Sequence, residues 1–484
     1  MDYRSYAELL RKEGMLIEIN EEVSWNLEAI CYTAMNYRVE NGQTAHIFNN
    51  VKGYKGKARL FGSFVASPKK AAWQKSAMIF GLPKDASWTT FRDEFLRRFD
   101  HPLKPLVVEA GDSQCKQHIM MGKDVNLFAF PWPMIHQSDG GRYGTIQTHI
   151  IEDPDTGWVN WGNYRMMIVS KNRMTGLCIP VQHGPSIFYQ KYEARNIPAP
   201  FCYVVGGDPI INFAAGTNLP AGAAEVDYAG GFRQEPMKLV RAETNKLYVP
   251  ADAEIVIEGV MMPHERLDEG PQGEYTGFVH GRMPMPVYHV HCITYRDNPL
   301  IPYSIGGATF SDEQAISQSL TLVEIYRQLQ VAGFKAVKDV RFLPDLLWDG
   351  LVIATDNPYP GYIQELRAWM ECHKVGLWGT QFMFVDGDVD MSGSDFATNV
   401  YQEMATKVDP KRDIYRTDND YFCTPLNPTM DERGKKTGVG AARLLWDCTT
   451  PYEWSKEEII KPVKTAELFP QNILDKAKAA YKRL

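Results

Sequence analysis

The chain has 484 residues, 44% hydrophobic and 23% charged, with a formal net charge of −7, so two or three domains are expected. Its charges are interspersed and form no basic stripe, which argues against nucleic-acid or polybasic membrane partners, and no apolar run approaches the roughly 18 residues that span a bilayer. The N-terminus has no signal-peptide core and the 8 cysteines form no CxxC pair, so the chain reads as a cytoplasmic protein with reduced thiols.

In chain order, periodicity predicts a helix over 5–11, a strand over 15–19, a second helix over 27–37 and strands near 46–48 and 60–65. Thr90 then opens an amphipathic helix with Phe91, Phe95, Leu96 and Phe99 on one side. From about 105 to 299, glycine, proline and short alternating runs favour a barrel-like or sandwich β domain. After Ser311, helical periods (314–334, 362–372) alternate with apolar strands (351–354, 381–385), the pattern of a covered, largely parallel sheet. Ser455 to Glu458 reads as a capping box, and a last helix after Pro470 carries the stripe Ile473, Leu474, Ala477, Ala480, Tyr481 and Leu484, which must dock on the body or on a second subunit.

Four stretches could carry chemistry. In Leu267–Val279, Glu269 and Glu274 are separated by Gly270, Pro271 and Gly273, so an ordered loop is expected between strands near 254–259 and 287–295. Both carboxylates can turn toward one point for acid–base work; the bland alternative is a solvated acidic turn. Asn160 and Arg165 would fall on opposite faces of one strand, and converge only if Gly162 permits a bend; otherwise this is a turn with a surface arginine. His183 follows the apolar run 177–181 and precedes Gly184, and Glu225 leaves a Gly/Pro loop. Asn, His and Glu make a hard N/O set suited to Mn2+ or Mg2+ and, lacking thiolates, a poor structural zinc site. His289 and His291 read as structural or surface residues. The phosphate-loop look of 434–437 fails at Thr429, and the calcium-loop look of 386–391 fails at Met391.

Asn160…Arg165, Gln182-His183, Glu225 and Glu269-x4-Glu274, together with Asp388 to Asp390 and Arg443-x3-Asp447-Cys448-Thr449, resemble the UbiD family of reversible decarboxylases that use prenylated flavin mononucleotide (prFMN). The resemblance covers nearly the whole chain. It implies a mixed α/β (α+β) architecture: an N-terminal α+β domain over 1–105, a flavin-binding split β-barrel over 106–310, an α/β oligomerisation domain over 311–450 and a tail over 451–484 with a docking helix. It also implies that Asn160, His183 and Glu225 hold a divalent metal, typically Mn2+ (or Mg2+), against the cofactor phosphate, with K+ nearby on backbone oxygens. Trp161, Tyr164, Arg165, Gln182 and Arg443 complete the implied cofactor set, Arg443 standing where many relatives carry a phosphate-directed lysine. Arg165, Glu269 and Glu274 would form a Glu-Arg-Glu catalytic network with Glu274 as proton donor, and Ile179, Gln182 and Tyr275 would line the substrate pocket. The implied partners are an aromatic, heteroaromatic or α,β-unsaturated acid, a flavin prenyltransferase as cofactor supplier, and further copies of the chain in a homodimer or homohexamer.

Removing CO2 from such an acid leaves an sp2 carbanion that no side chain can absorb, so an electron-accepting cofactor is required. A carboxylic acid that donates at neutral pH needs a raised pKa, while a neighbouring arginine keeps a second carboxylate ionised. Two other readings compete. A two-carboxylate hydrolase would use Glu269 and Glu274 but leave Asn160, His183 and Glu225 without a role. A non-catalytic flavin- or metal-binding scaffold would bind without turnover.

Overall fold

Strands Val159–Gly162 and Met166–Ile168 are separated by three residues, yet they lie toward opposite ends of one nine-stranded sheet in this computed structural model. The strand order is 142–144, 166–168, 173–175, 283–295, 255–269, 199–205, 148–152, 159–162, with His118–Met121 pairing beside the far part of Met283–Tyr295. Four chain steps reach at most about 14 Å, whereas six spacings of a flat sheet need about 29 Å. The sheet therefore curls into a half-barrel, and residues 163–165 cross its mouth. Each residue of that link is held. Asn163 Nδ2 donates to the Asn212 carbonyl at 2.7 Å, the Tyr164 carbonyl accepts from the Gln147 amide, and the Arg165 carbonyl lies against Gly176.

The structure describes all residues except 40–43, 69–70, 275–276, 308–309, 344–349, 374–379, 392–394, 418–420, 423–429, 438, 455–468 and 482–484. Ile255–Glu269 and Met283–Tyr295 form the long antiparallel pair of the barrel, with register shifts at Glu258/Gly259 and Met261/Arg266 that help it curve. The N-terminal region surrounds a four-stranded sheet whose last strand, Leu300–Pro302, returns from beyond the barrel to pair with Arg59–Gly62. The C-terminal sheet has three parallel central strands, Gly350–Thr355, Gln381–Asp386 and Leu444–Cys448, but both edges, Val337–Phe342 and Ile414–Arg416, are antiparallel, so it is mixed.

Helix Asp312–Val331 joins the parts. Ser311 caps it reciprocally with Gln314, and the fully buried Asp312 carboxylate accepts from the backbone N–H groups of Ser63, Val65 and Ala66 (2.9, 2.6 and 2.8 Å) and from the Tyr37 hydroxyl (2.9 Å). Other boundaries shift by a few residues. The aromatic helix runs Trp88–Phe99 and is capped by Ser87, whose side chain accepts from the Thr90 N–H, so Thr90 is inside it. The apolar run 177–181 makes no strand, because it turns directly into a helix, His183–Ile187. The last helix, Gln471–Tyr481, leaves Ile473 exposed; the 455–458 capping box and Leu484 lie outside the described residues. All seven described cysteines are free and five are buried, while Cys423 lies outside the described residues. Among the described residues, no helix is long and apolar enough to cross a membrane.

The barrel interior is aromatic, and His149 sits within it, with ring centroids of Tyr203, Tyr164, Tyr288 and Phe201 at 4.9–6.1 Å. Among the described residues neither of its ring nitrogens has a hydrogen-bond partner, and burial pushes its pKa down to about 3. The unfolded chain therefore takes a proton near pH 6.5 that the folded chain refuses. The stability this costs is absent above pH 6.5 and grows as pH falls toward 3. His149→Phe should lose less stability on acidification, by about 1 kcal/mol per pH unit between pH 6 and 4. Chemical denaturation across that range checks it; equal slopes for both proteins would contradict the buried neutral imidazole.

Candidate active site

Glu269 ends the long barrel strand, in register with Met283, and is fully buried. The segment Leu267 to Glu269 is therefore strand and not loop. The breakers act only after Glu269, at the positive-φ Gly270 (91°) and Pro271, and a two-stranded hairpin, Gln272–Gly273 with Val279–His280, follows. Glu274 sits in its turn, which is closed by Glu274 N–H to the Phe278 carbonyl and Gly277 N–H to the Glu274 carbonyl, both 2.9 Å.

Arg165 lies between the two carboxylates. Its Nε donates to Glu269 Oε1 at 2.9 Å and its Nη2 to Oε2 at 2.7 Å, a bidentate fork, while Nη1 pairs with Glu274. The three side chains are 11%, 0% and 8% exposed. Asn160 and Arg165 do not share a strand: Asn160 lies in Val159–Gly162, and Arg165 in the link before Met166–Ile168, so the opposite-face arrangement expected of one continuous strand does not arise. Two further groups join the network that sequence reasoning missed. Tyr143 donates to Glu269 Oε1 at 3.1 Å, its phenol held well above its usual pKa by burial and then by Glu269. Glu313, in the first turn of the 312–331 helix, is pushed up by burial and pulled back by Arg165, so a third carboxyl lies within electrostatic reach of that guanidinium. Nothing local in the sequence marks either one; both depend on how distant segments pack.

The second cluster centres on Asn160. Its Nδ2 donates to Glu225 Oε1 at 2.7 Å, and the Trp161 N–H donates to Glu225 Oε2 at 2.9 Å. Glu225 starts the helix Glu225–Arg233, and burial pushes its carboxyl up to about 7 against these hydrogen bonds. Gly184, next to His183, packs onto Asn160; a Cβ there would stand 3.0 Å from Asn160 Oδ1 and 3.1 Å from the Tyr164 ring, so no larger residue fits without displacement. The His183 ring meets Trp158 edge-on at 5.2 Å. Asn160 Oδ1 is buried with no hydrogen-bond partner among the described residues, the state expected of an oxygen that ligates a cation. Among the described residues no three His, Cys, Asp or Glu side chains group as a metal cage, and the set Asn160, His183 and Glu225 holds only two of those types. The residues fit a hard cation bound together with an anionic group.

Ile179 and Gln182 are half-buried and form the turn into the His183 helix, with Gln182 N–H on the Ile179 carbonyl at 3.0 Å; Tyr275 lies outside the described residues. Arg443 belongs to the C-terminal domain. Its guanidinium donates to the carbonyls of Met370 (2.8 Å) and Glu371 at the end of helix Tyr362–Cys372 and stacks over Tyr421. Capping that helix accounts for its charge without a phosphate, so the geometry gives the expected phosphate contact no support. His289 pairs with Glu265 at 2.7 Å and His291 is exposed, as structural or surface residues would be.

Comparison with known proteins decides the family. Residues 7–95, 107–309 and 315–448 match the N-terminal, Rift-related and C-terminal domains of 3-octaprenyl-4-hydroxybenzoate carboxy-lyase. The chain belongs to the UbiD family. It is a carboxy-lyase of that family. It is 29% identical to pyrrole-2-carboxylic acid decarboxylase of Pseudomonas aeruginosa, over 94% of this chain and 92% of the relative. It is 31% identical to phenolic acid decarboxylase of Bacillus subtilis, over 93% and 92%. The open form of vanillic acid decarboxylase from Sedimentibacter hydroxybenzoicus superposes with a TM-score of 0.84 at 26% identity, covering 99% of both chains. The UbiD-class enzyme HmfF from Pelotomaculum thermopropionicum, solved with FMN, shares the fold at 23% identity with a TM-score of 0.84, covering 99% of both chains.

If the Asn160 cluster holds a cation, Glu225→Ala and His183→Ala should lower metal and flavin content far more than they lower the melting temperature, because a lost ligand leaves the ion short of compensation for its shed water. Elemental analysis and flavin absorbance beside a thermal melt check this; unchanged metal and flavin would remove both residues from the cation's shell.

Proposed function

We propose that this carboxy-lyase decarboxylates an aromatic or heteroaromatic acid reversibly with prFMN, using Arg165, Glu269 and Glu274 as its catalytic network. The observation that carries the reading is one buried guanidinium engaged by two carboxylates, on a residue five positions after Asn160, which itself pairs with Glu225. Asn160, His183 and Glu225 would hold Mn2+ or Mg2+ together with the cofactor, K+ would bind nearby, and Trp161, Tyr164 and Gln182 would contribute to the cofactor site. When bound, prFMN supplies the electron sink that carbon–carboxylate cleavage requires.

The protein's own part is orientation and proton handling. Arg165 orients Glu269 through its bidentate fork and offers its remaining N–H groups to the substrate carboxylate. Several carboxyls around one guanidinium leave an excess of negative charge that favours keeping a proton on one of them. Glu274, on the turn beside Arg165, delivers that proton to the carbon that has lost CO2. By the family resemblance, Ile179, Gln182 and Tyr275 would line the pocket for the acid. A hydrolase that flanks a scissile bond with two carboxylates is a poor fit, since both are committed to one arginine. The relatives that act on pyrrole-2-carboxylic and phenolic acids favour a mono- or bicyclic ring as substrate. A flavin prenyltransferase supplies the cofactor, the protein works in the cytoplasm, and copies assemble as a homodimer or homohexamer.

Protein made without prFMN should be inactive on a panel of aromatic acids and gain CO2 release when co-expressed with a flavin prenyltransferase; full activity in flavin-free protein would overturn the reading. Glu274→Gln keeps the shape but cannot donate, so turnover should fall about 10²–10⁴-fold with a matching loss of deuterium incorporation from D2O into product. Glu269→Gln should slow the whole cycle through Arg165. Wild-type deuterium incorporation in Glu274→Gln would move the donor role to Glu269.

A further inference from the structure

We propose that His136, held by Asp139, is a positioning residue that braces the Glu274 turn against Arg165; this rests on the role assigned to Glu274 above. The Asp139 side chain is fully buried and that of His136 is 26% exposed. The His136 backbone N–H donates to Asp139 Oδ2 at 2.8 Å, and its ring Nδ1 meets Oδ1 at 3.1 Å. A carboxylate only accepts, so this bond places the hydrogen on Nδ1 and fixes the imidazole plane.

That ring occupies the space beside Gly273, the residue before Glu274. A Cβ at 273 would lie 2.5–2.8 Å from Cε1, Nδ1 and Nε2 of His136. On another side the Gly273 carbonyl abuts Gly306, so the peptide entering Glu274 runs in a slot between an imidazole and a glycine backbone. The same strap grips the turn again through Gly140 N–H to the Pro271 carbonyl at 2.8 Å, and four residues after Asp139 it supplies Tyr143 to Glu269. One segment thus touches the supports of both catalytic glutamates. Beyond Glu274 the turn is exposed from Gly277 to Val279, and among the described residues two internal backbone bonds close it. Without the brace its carboxyl end is free to swing, and displacement of about 1 Å at a reacting group costs about 10²-fold in rate.

The test uses cofactor-loaded protein and compares wild type, His136→Ala, Gly273→Ala and the double variant. Amide hydrogen exchange should rise about tenfold or more at Glu274 and Gly277 in His136→Ala, with the rest of the barrel unchanged. On whichever panel acid the wild type turns over, kcat should fall while KM holds. Gly273→Ala alone should be as harmful, because its methyl collides with the ring. In the His136→Ala background the same methyl has room and should cost less than about threefold, a non-additivity that a general packing role would not produce. If His136→Ala does not fold, His136→Asn keeps a donor toward Asp139 but presents no ring to Gly273, and the same local exchange is expected. Exchange that stays at the wild-type level in residues 270–280, or a Gly273→Ala cost equal in both backgrounds, would overturn the proposal. Glu274→Gln measured alongside keeps the two readings apart: its full deuterium incorporation would sink the donor role, while exchange alone judges the brace.

Discussion

A guanidinium removed from water must find acceptors, and Arg165 finds them at the end of one strand and in the turn beyond it. Leaving such a cation unpaired would cost several kcal/mol, about 3–5 when one partner of a buried pair is removed. The arginine can stand there because the curled sheet brings its two ends close enough for three residues to bridge them. The barrel closure and the carboxylate pair are thus one constraint. If the sheet flattened, the link would break and Arg165 would leave Glu269; if Glu269 were lost, the link would hold a charge with half its partners gone.

The strands and helices were largely legible because they follow period. The 362–372 helix falls where its apolar stripe puts it, and the apolar run 381–385 is the strand Gln381–Asp386. The identities of Arg165, Glu269 and Glu274 were legible as a pattern of types and spacings. Their geometry was not, since a strand that continues through Leu267 to Glu269 depends on pairing with Met283 to Met285, more than a dozen residues away. The same limit hid the other participants. Tyr143, His136 and Glu313 have ordinary local sequence and gain meaning only from what packs against them. Arg443 shows the reverse: its position in a motif suggested a ligand, while its surroundings use it to end a helix.

The two clusters treat charge differently. Around Arg165, ions are paired and forked, and the surplus carboxyl of Glu313 is pushed toward its protonated form. Around Asn160, the buried Glu225 carboxyl has hydrogen-bond donors but no cationic partner among the described residues, and burial pushes its pKa up to about 7. The first is built to hold charge in place. The second leaves a buried oxygen, Asn160 Oδ1, without a hydrogen-bond partner among the described residues.

Asp312 and Glu313 are neighbours with opposite duties. Asp312 gathers three backbone N–H groups and a tyrosine from the first 66 residues, while Glu313 looks toward Arg165. Because Leu300–Pro302 also completes the N-terminal sheet, residues 1–66 and 300–313 form one piece although the barrel separates them in sequence. Chimaeras between members of this family should therefore not be cut at the apparent border near residue 105. A parental mismatch there would strand the buried Asp312 carboxylate next to Glu313, so both segments should come from the same parent.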